Sequence, residues 1–129
     1  MQATERLESS TIQRLKECIV AIAHTEEDIF KLDIEKKLVE NEIGLFNAEL
    51  ELEISTDTSL RDAEMKKAQK TISQATSQKY QELQQKLIEL NIEITTLKIA
   101  VDRIKREYAI AKLETKLAIG KIINDQIHT

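Results

Sequence analysis

Proline is absent, and glycine occurs only at Gly44 and Gly120. A sheet protein reverses direction every few residues and needs Gly, Pro, Asn and Asp to do so, so this scarcity excludes a β-rich fold. Tryptophan is also missing, and aromatic residues make up 3% of the chain. Compact globules carry much of their core in large rings, whereas slender helices pack on Leu, Ile and Ala, so no enclosed ligand pocket is expected. Cys18 has no second cysteine to pair with, which suits a reducing compartment. Residues 1–10 lack the apolar core of a signal peptide. No run approaches the roughly 18 apolar residues of a membrane span. The expectation is a soluble, cytoplasmic protein. With a net charge of −4, the chain also lacks the basic footprint of a mainly electrostatic nucleic-acid binder.

What is present is helical periodicity. Tyr80, Leu83, Leu87, Leu90, Ile94, Leu97, Val101, Ile104, Tyr108 and Ala111 recur at alternating steps of three and four, a sustained seam on one helical face. Such a seam has to be buried against another helix, from this chain or from a second copy. A first helix over about residues 5–54 carries its own seam, from Leu15, Cys18 and Ile22 through Val39, Ile43, Phe46 and Leu50, interrupted by Thr25 and Lys36. A second apolar row, Phe30, Ile34, Leu38, Leu45 and Leu52, lies off that seam. A two-stranded coil buries one stripe only, so two stripes point to two neighbours and to self-association. Gly44 is either a tolerated helix-interior glycine or the site of a close crossing or slight bend.

Ser55-Thr56-Asp57-Thr58-Ser59 is the clearest break, a run of residues that favour turns and N-caps over helix. Asp57, Thr58 or Ser59 is expected to cap the next helix, with Ser59 and Asp62 as a short capping box. That second helix is predicted over about residues 60–127, continuous, with a stutter or hinge at residues 73–77. Its first third has only a weak stripe of Met65, Ala68, Ile72 and Ala75. One domain over residues 1–129 follows, an antiparallel hairpin in which positions summing to about 113 face each other.

Charge agrees with that pairing. Residues 26–53 hold ten acids and three lysines, and residues 61–86 hold six bases and three acids. Folding near Thr56 would leave the C-terminal end projecting roughly 30 Å past the start of the first helix. Ile110, Leu113, Leu117, Ile122 and Ile123 would then need a second copy or another protein to cover them. Residues 98–121 carry seven bases and three acids, which an acidic first helix from a second chain would suit.

Catalytic and metal chemistry find no footing. His24 with Glu27 and Asp28 has helical spacing, but a metal site needs three or four ligands, and His128 stands at the far end of the chain. Cys18 falls on a seam position, where cysteine behaves as a small hydrophobe. No glycine-rich phosphate loop and no Ser-His-Asp set can be built, so no enzyme and no cofactor are expected. Arg103, Lys105, Arg106 and Lys112 beside Tyr108 form the single basic-aromatic cluster. A stacked base is conceivable there. The plainer reading is a solvated basic face beside a seam residue. The C-terminus lacks the Trp or Phe anchors of a membrane-surface helix.

The runs Ser59-Leu60-Arg61-Asp62, Lys79-Tyr80-Gln81-Glu82-Leu83 and Asp102-Arg103-Ile104-Lys105-Arg106-Glu107-Tyr108 follow one another in the C-terminal half. This order of polar turn, charged helix with Tyr-x-x-Leu, long heptads and basic cluster before an aromatic resembles small coiled-coil proteins of phages and prophages. Those proteins often lie beside recombination or replication genes. The resemblance implies an accessory role with nucleic acid or with that machinery, and it transfers no functional residue.

The sequence thus predicts an all-α protein, a long coiled-coil hairpin that dimerises or tetramerises into a helical bundle. Its expected role is a non-enzymatic scaffold or adaptor holding another, unidentified protein. The alternative is the nucleic-acid accessory role. Salt separates the two, because phosphate binding weakens steeply with added salt and an isoleucine seam barely responds.

Overall fold

The computed structural model describes the backbone of residues 2–128 and the side chains of residues 10–127. It is all-helical over the described residues: α1 spans Gln2–Thr56, α2 Ala63–Thr76 and α3 Gln78–His128. The chain divides into two units. Lys31–Ile94 forms the turn unit, and Met1–Phe30 with Thr95–Thr129 forms the terminal unit.

In the turn unit the chain leaves α1 two residues later than expected. Asp57, not a helix cap, organises the loop: its Oδ1 accepts from the Ser59 backbone N–H at 2.9 Å and from the Ser59 hydroxyl at 2.6 Å. Those two hydrogen bonds hold its carboxyl below the ordinary value of 3.8. The cap of α2 is Asp62, whose Oδ1 accepts from the Met65 N–H at 2.8 Å. The expected Ser59–Asp62 capping box does not form, because Ser59 is already engaged by Asp57. A group whose folded pKa is depressed contributes stability above its unfolded pKa and loses it as pH falls through the folded value. The loop is therefore expected to loosen only below about pH 4, with Asp57→Asn removing that step. A carboxyl-carbon NMR titration of Asp57 reads the midpoint, and an ordinary value would contradict the bonding described.

The second helix is not continuous. Ser77, extended at φ −81° and ψ 114°, separates α2 from α3 within the window foreseen for a hinge. Its hydroxyl accepts from the Tyr80 N–H at 3.2 Å and so caps α3, while its own N–H closes α2 on Ser73 O at 3.1 Å. The Gln81 side chain donates to the Gln74 carbonyl at 3.1 Å. A serine supplies these local bonds without glycine or proline.

The interruption lies beside a conflict of register. Stepping back from Tyr80 by heptad spacing reaches Ser73, Gln69 and Lys66, which with Lys70 and Gln74 are the half-buried positions of α2. Its apolar stripe, Met65, Ala68, Ile72 and Ala75, sits one residue away and is exposed. A polar face therefore meets α1: Lys70 pairs with Glu51, and Gln74 Nε2 donates to Asn47 Oδ1 at 2.8 Å. Beyond the break the contact turns apolar. Val39, only 3% exposed, packs with Leu83 and Leu90 at the centre of a cluster that Leu32, Ile43 and Leu87 extend. Phe46 and Tyr80 stack tilted at 5.2 Å.

The pairs Lys70–Glu51, Gln74–Asn47 and Lys86–Glu35 each sum to 121, so opposing residues lie eight positions beyond the expected 113. The later end of α1 and a loop over residues 57–62 account for this shift. In the terminal unit α1 and α3 also run antiparallel, with Arg14 on Glu114 at 3.0 Å and Lys105 on Glu26 at 3.1 Å. Twelve residues of α1 precede Arg14 and fourteen of α3 follow Glu114, so the two ends lie within about one turn of each other. The expected 30 Å overhang is absent. Cys18, Val101 and Ala111 are buried in this unit, and Ala111 is fully covered. Thr25 and Thr115 keep their hydroxyls on their own helix, donating to Ala21 O at 2.7 Å and Ala111 O at 2.6 Å.

No close crossing occurs at Gly44. A Cβ added there, or at Gly120, would have no neighbour within 4 Å. Gly44→Ala and Gly120→Ala are each expected to stabilise the chain by up to about 1 kcal/mol. Thermal melting measures this, and a fall in Tm at either position would reveal a close neighbour.

Candidate functional site

The predicted seam of α3 faces inward throughout. Leu83, Leu90, Ile94 and Val101 are buried, and Tyr80, Leu87, Leu97, Ile104 and Tyr108 are half-buried. It continues past Ala111 through half-buried Thr115, Ala118 and Ile122. Ile122 therefore belongs to the inner face. Ile110, Leu113, Leu117 and Ile123 instead point to solvent, with Leu117 66% exposed. Their exposure comes from their helical face and not from an overhang.

The off-seam row of α1 is open along its length. Phe30, the last residue of the terminal unit's first segment, is 65% exposed. In the turn unit Ile34, Leu38, Leu45 and Leu52 are all exposed, Leu45 at 63%. A matching row on α3 went unforeseen. Ile88 and Ile92 in the turn unit and Ile99 in the terminal unit are exposed, in helical phase with Ile110, Leu113 and Leu117. The clue was a second set of isoleucines at four- and seven-residue steps, overshadowed by the stronger seam.

The electrostatics of the two rows differ. Between Leu38 and Glu53 there are five acids and no base. Among the described residues no cation lies within ion-pair distance of Glu42, Glu49 or Glu53. The α3 row in the terminal unit is basic: Arg103, Arg106, Lys116 and Lys121 are exposed and have no ion pair among the described residues.

The basic-aromatic cluster is divided. Lys105 is held by Glu26, and the Lys112 ammonium sits 4.8 Å above the Tyr108 ring. Tyr108 is half-buried in the seam, so that ring face is covered by the chain itself. Among the described residues no group of three or more His, Cys, Asp or Glu comes together to hold a metal ion, and the His128 side chain lies outside them. A groove lined by Glu51, Ile54, Ser55, Lys66, Lys67 and Lys70 is open to solvent. Among the described residues no helix is long and apolar enough to cross a membrane.

No protein-family model matches the chain, and neither a curated protein nor a solved structure is significantly similar to it.

Proposed function

We propose that the protein is a non-enzymatic, oligomerising coiled-coil scaffold that holds partner proteins through its helices. The observation that carries this reading is the pair of apolar rows on α1 and α3, which remain exposed although each helix has already buried its seam. Scattered surface leucines need no explanation, but rows in helical phase do. The chain exposes 9965 Å², against about 7,000 Å² for a compact monomer of this size. The difference, about 3,000 Å² on each chain, exceeds the roughly 800 Å² per partner of a standard-size interface.

A nucleic-acid accessory role, the other reading that the sequence admits, finds less support. Lys105 pairs with Glu26, and Lys112 sits over the half-buried Tyr108 ring, so the basic-aromatic cluster is not open as a unit. Such a role would need several phosphate contacts and would show steep salt dependence.

Thermal melting across a 100-fold range of protein concentration tests the scaffold reading. An oligomer gains stability by mass action, so its Tm rises with concentration. A Tm independent of concentration over that range would remove the reading.

A further inference from the structure

We propose that the basic outer row of α3 in the terminal unit, Ile99, Ile110, Leu113 and Leu117, docks on the acidic outer row of α1 in the turn unit of a second copy of this chain, Ile34, Leu38, Leu45 and Leu52. This assignment rests on the oligomeric reading above and names the surfaces and the partner. Three observations carry it.

Both rows are exposed isoleucine and leucine, each already free of the seam that its helix buries. Each presents a stripe of the width that an opposing helix covers. Both extend over the same length, residues 34–52 on one side and 99–117 on the other.

Their charges are complementary. Among the described residues, Glu42, Glu49 and Glu53 border the α1 row without a cation, and Arg103, Arg106, Lys116 and Lys121 border the α3 row without an anion. Pairing either row with itself would juxtapose like charges, which selects the mixed pairing. Exposed pairs add little attraction, so the apolar rows supply affinity and the charges choose the partner.

The surplus exposed surface is large enough for such contacts. Two different patches that meet reciprocally close a dimer, whereas patches that meet only once propagate an open chain. A second copy supplies both patches. An unrelated protein would have to reproduce the same acidic or basic match.

The test uses the full chain with two charge reversals. One variant carries Glu42→Lys, Glu49→Lys and Glu53→Lys, so that both of its rows are basic. The other carries Arg103→Glu and Arg106→Glu, so that its α3 row loses its net positive charge while its α1 row stays acidic. None of the five side chains forms an ion pair among the described residues, and circular dichroism should match the wild type. The neutral sets Glu→Gln and Arg→Gln at the same positions serve as milder versions if a reversal disturbs folding. Sedimentation velocity is expected to show each variant alone associating at least about tenfold more weakly than wild type, and a one-to-one mixture regaining mixed oligomers. If wild type assembles but the reversals have no effect, or the mixture fails to recover, the row pairing is wrong while the oligomeric reading stands. If wild type stays monomeric at all concentrations, both fall.

Discussion

Leu90→Asp is expected to destabilise the chain by about 4 kcal/mol and to remove most of its helical signal. Leu90 is 5% exposed and packs in one cluster with Val39 and Leu83. An aspartate there loses the leucine's packing and places a carboxylate against Val39 and Leu83. The consequence spreads, because helices of this kind draw their stability from a packed face and not from intrinsic propensity. The cluster around Val39 is small, so no neighbouring layer compensates. Leu97→Asp, at a half-buried position of the terminal unit, should act in the same direction with a smaller cost. Circular dichroism at 222 nm and the urea midpoint measure both changes. Unchanged melting of Leu90→Asp would mean that the inward seam is not the core.

The complementary result is expected on the outer face. Replacing Leu38 and Leu45 together by glutamine should leave helix content unchanged, because both side chains are already mostly in solvent. Surface substitutions of this kind usually shift stability by less than about 0.5 kcal/mol. Association should nevertheless weaken by on the order of 100-fold, since burying two leucines in an interface is worth roughly 3 kcal/mol or more. Light scattering after size exclusion separates the outcomes. A variant that assembles as well as wild type would show that the row is not an interface. A variant that unfolds would show that the row is part of the fold itself.

Together these two substitutions divide what the sequence makes legible from what it hides. The inner face of α3 could be read position by position, because alternating steps of three and four over residues 80–111 leave only one way to bury it. The two stripes of α1 were equally legible, and the assignment of Phe30, Ile34, Leu38, Leu45 and Leu52 to a separate row needed only helical geometry. The break at Ser77 was harder. Serine is compatible with helix, and nothing in residues 73–77 demands an interruption until Ser77 is seen capping α3 through Tyr80.

The orientation of α2 was harder still. Its apolar stripe would ordinarily be assigned to the inside, but Lys66, Gln69, Lys70, Ser73 and Gln74 are the half-buried residues, two of them held to α1 by Glu51 and Asn47. Register was the most consequential miss. Asp57 bonding to Ser59 moved the cap to Asp62 and lengthened the loop, and the overhang expected for residues 110–127 is removed by the further shift at Arg14–Glu114 and Lys105–Glu26, whose numbers sum to 128 and 131. Ile110, Leu113, Leu117 and Ile123 are exposed because of the helical face they occupy.

The most direct test of the account is the solution mass of the full chain by sedimentation equilibrium, from nanomolar to high micromolar concentration and at low and high salt. A dimer or larger closed assembly that dissociates on dilution is the predicted result, with modest weakening by salt because the apolar rows supply most of the affinity. A monomer at every concentration, with both outer rows still in water, would contradict it.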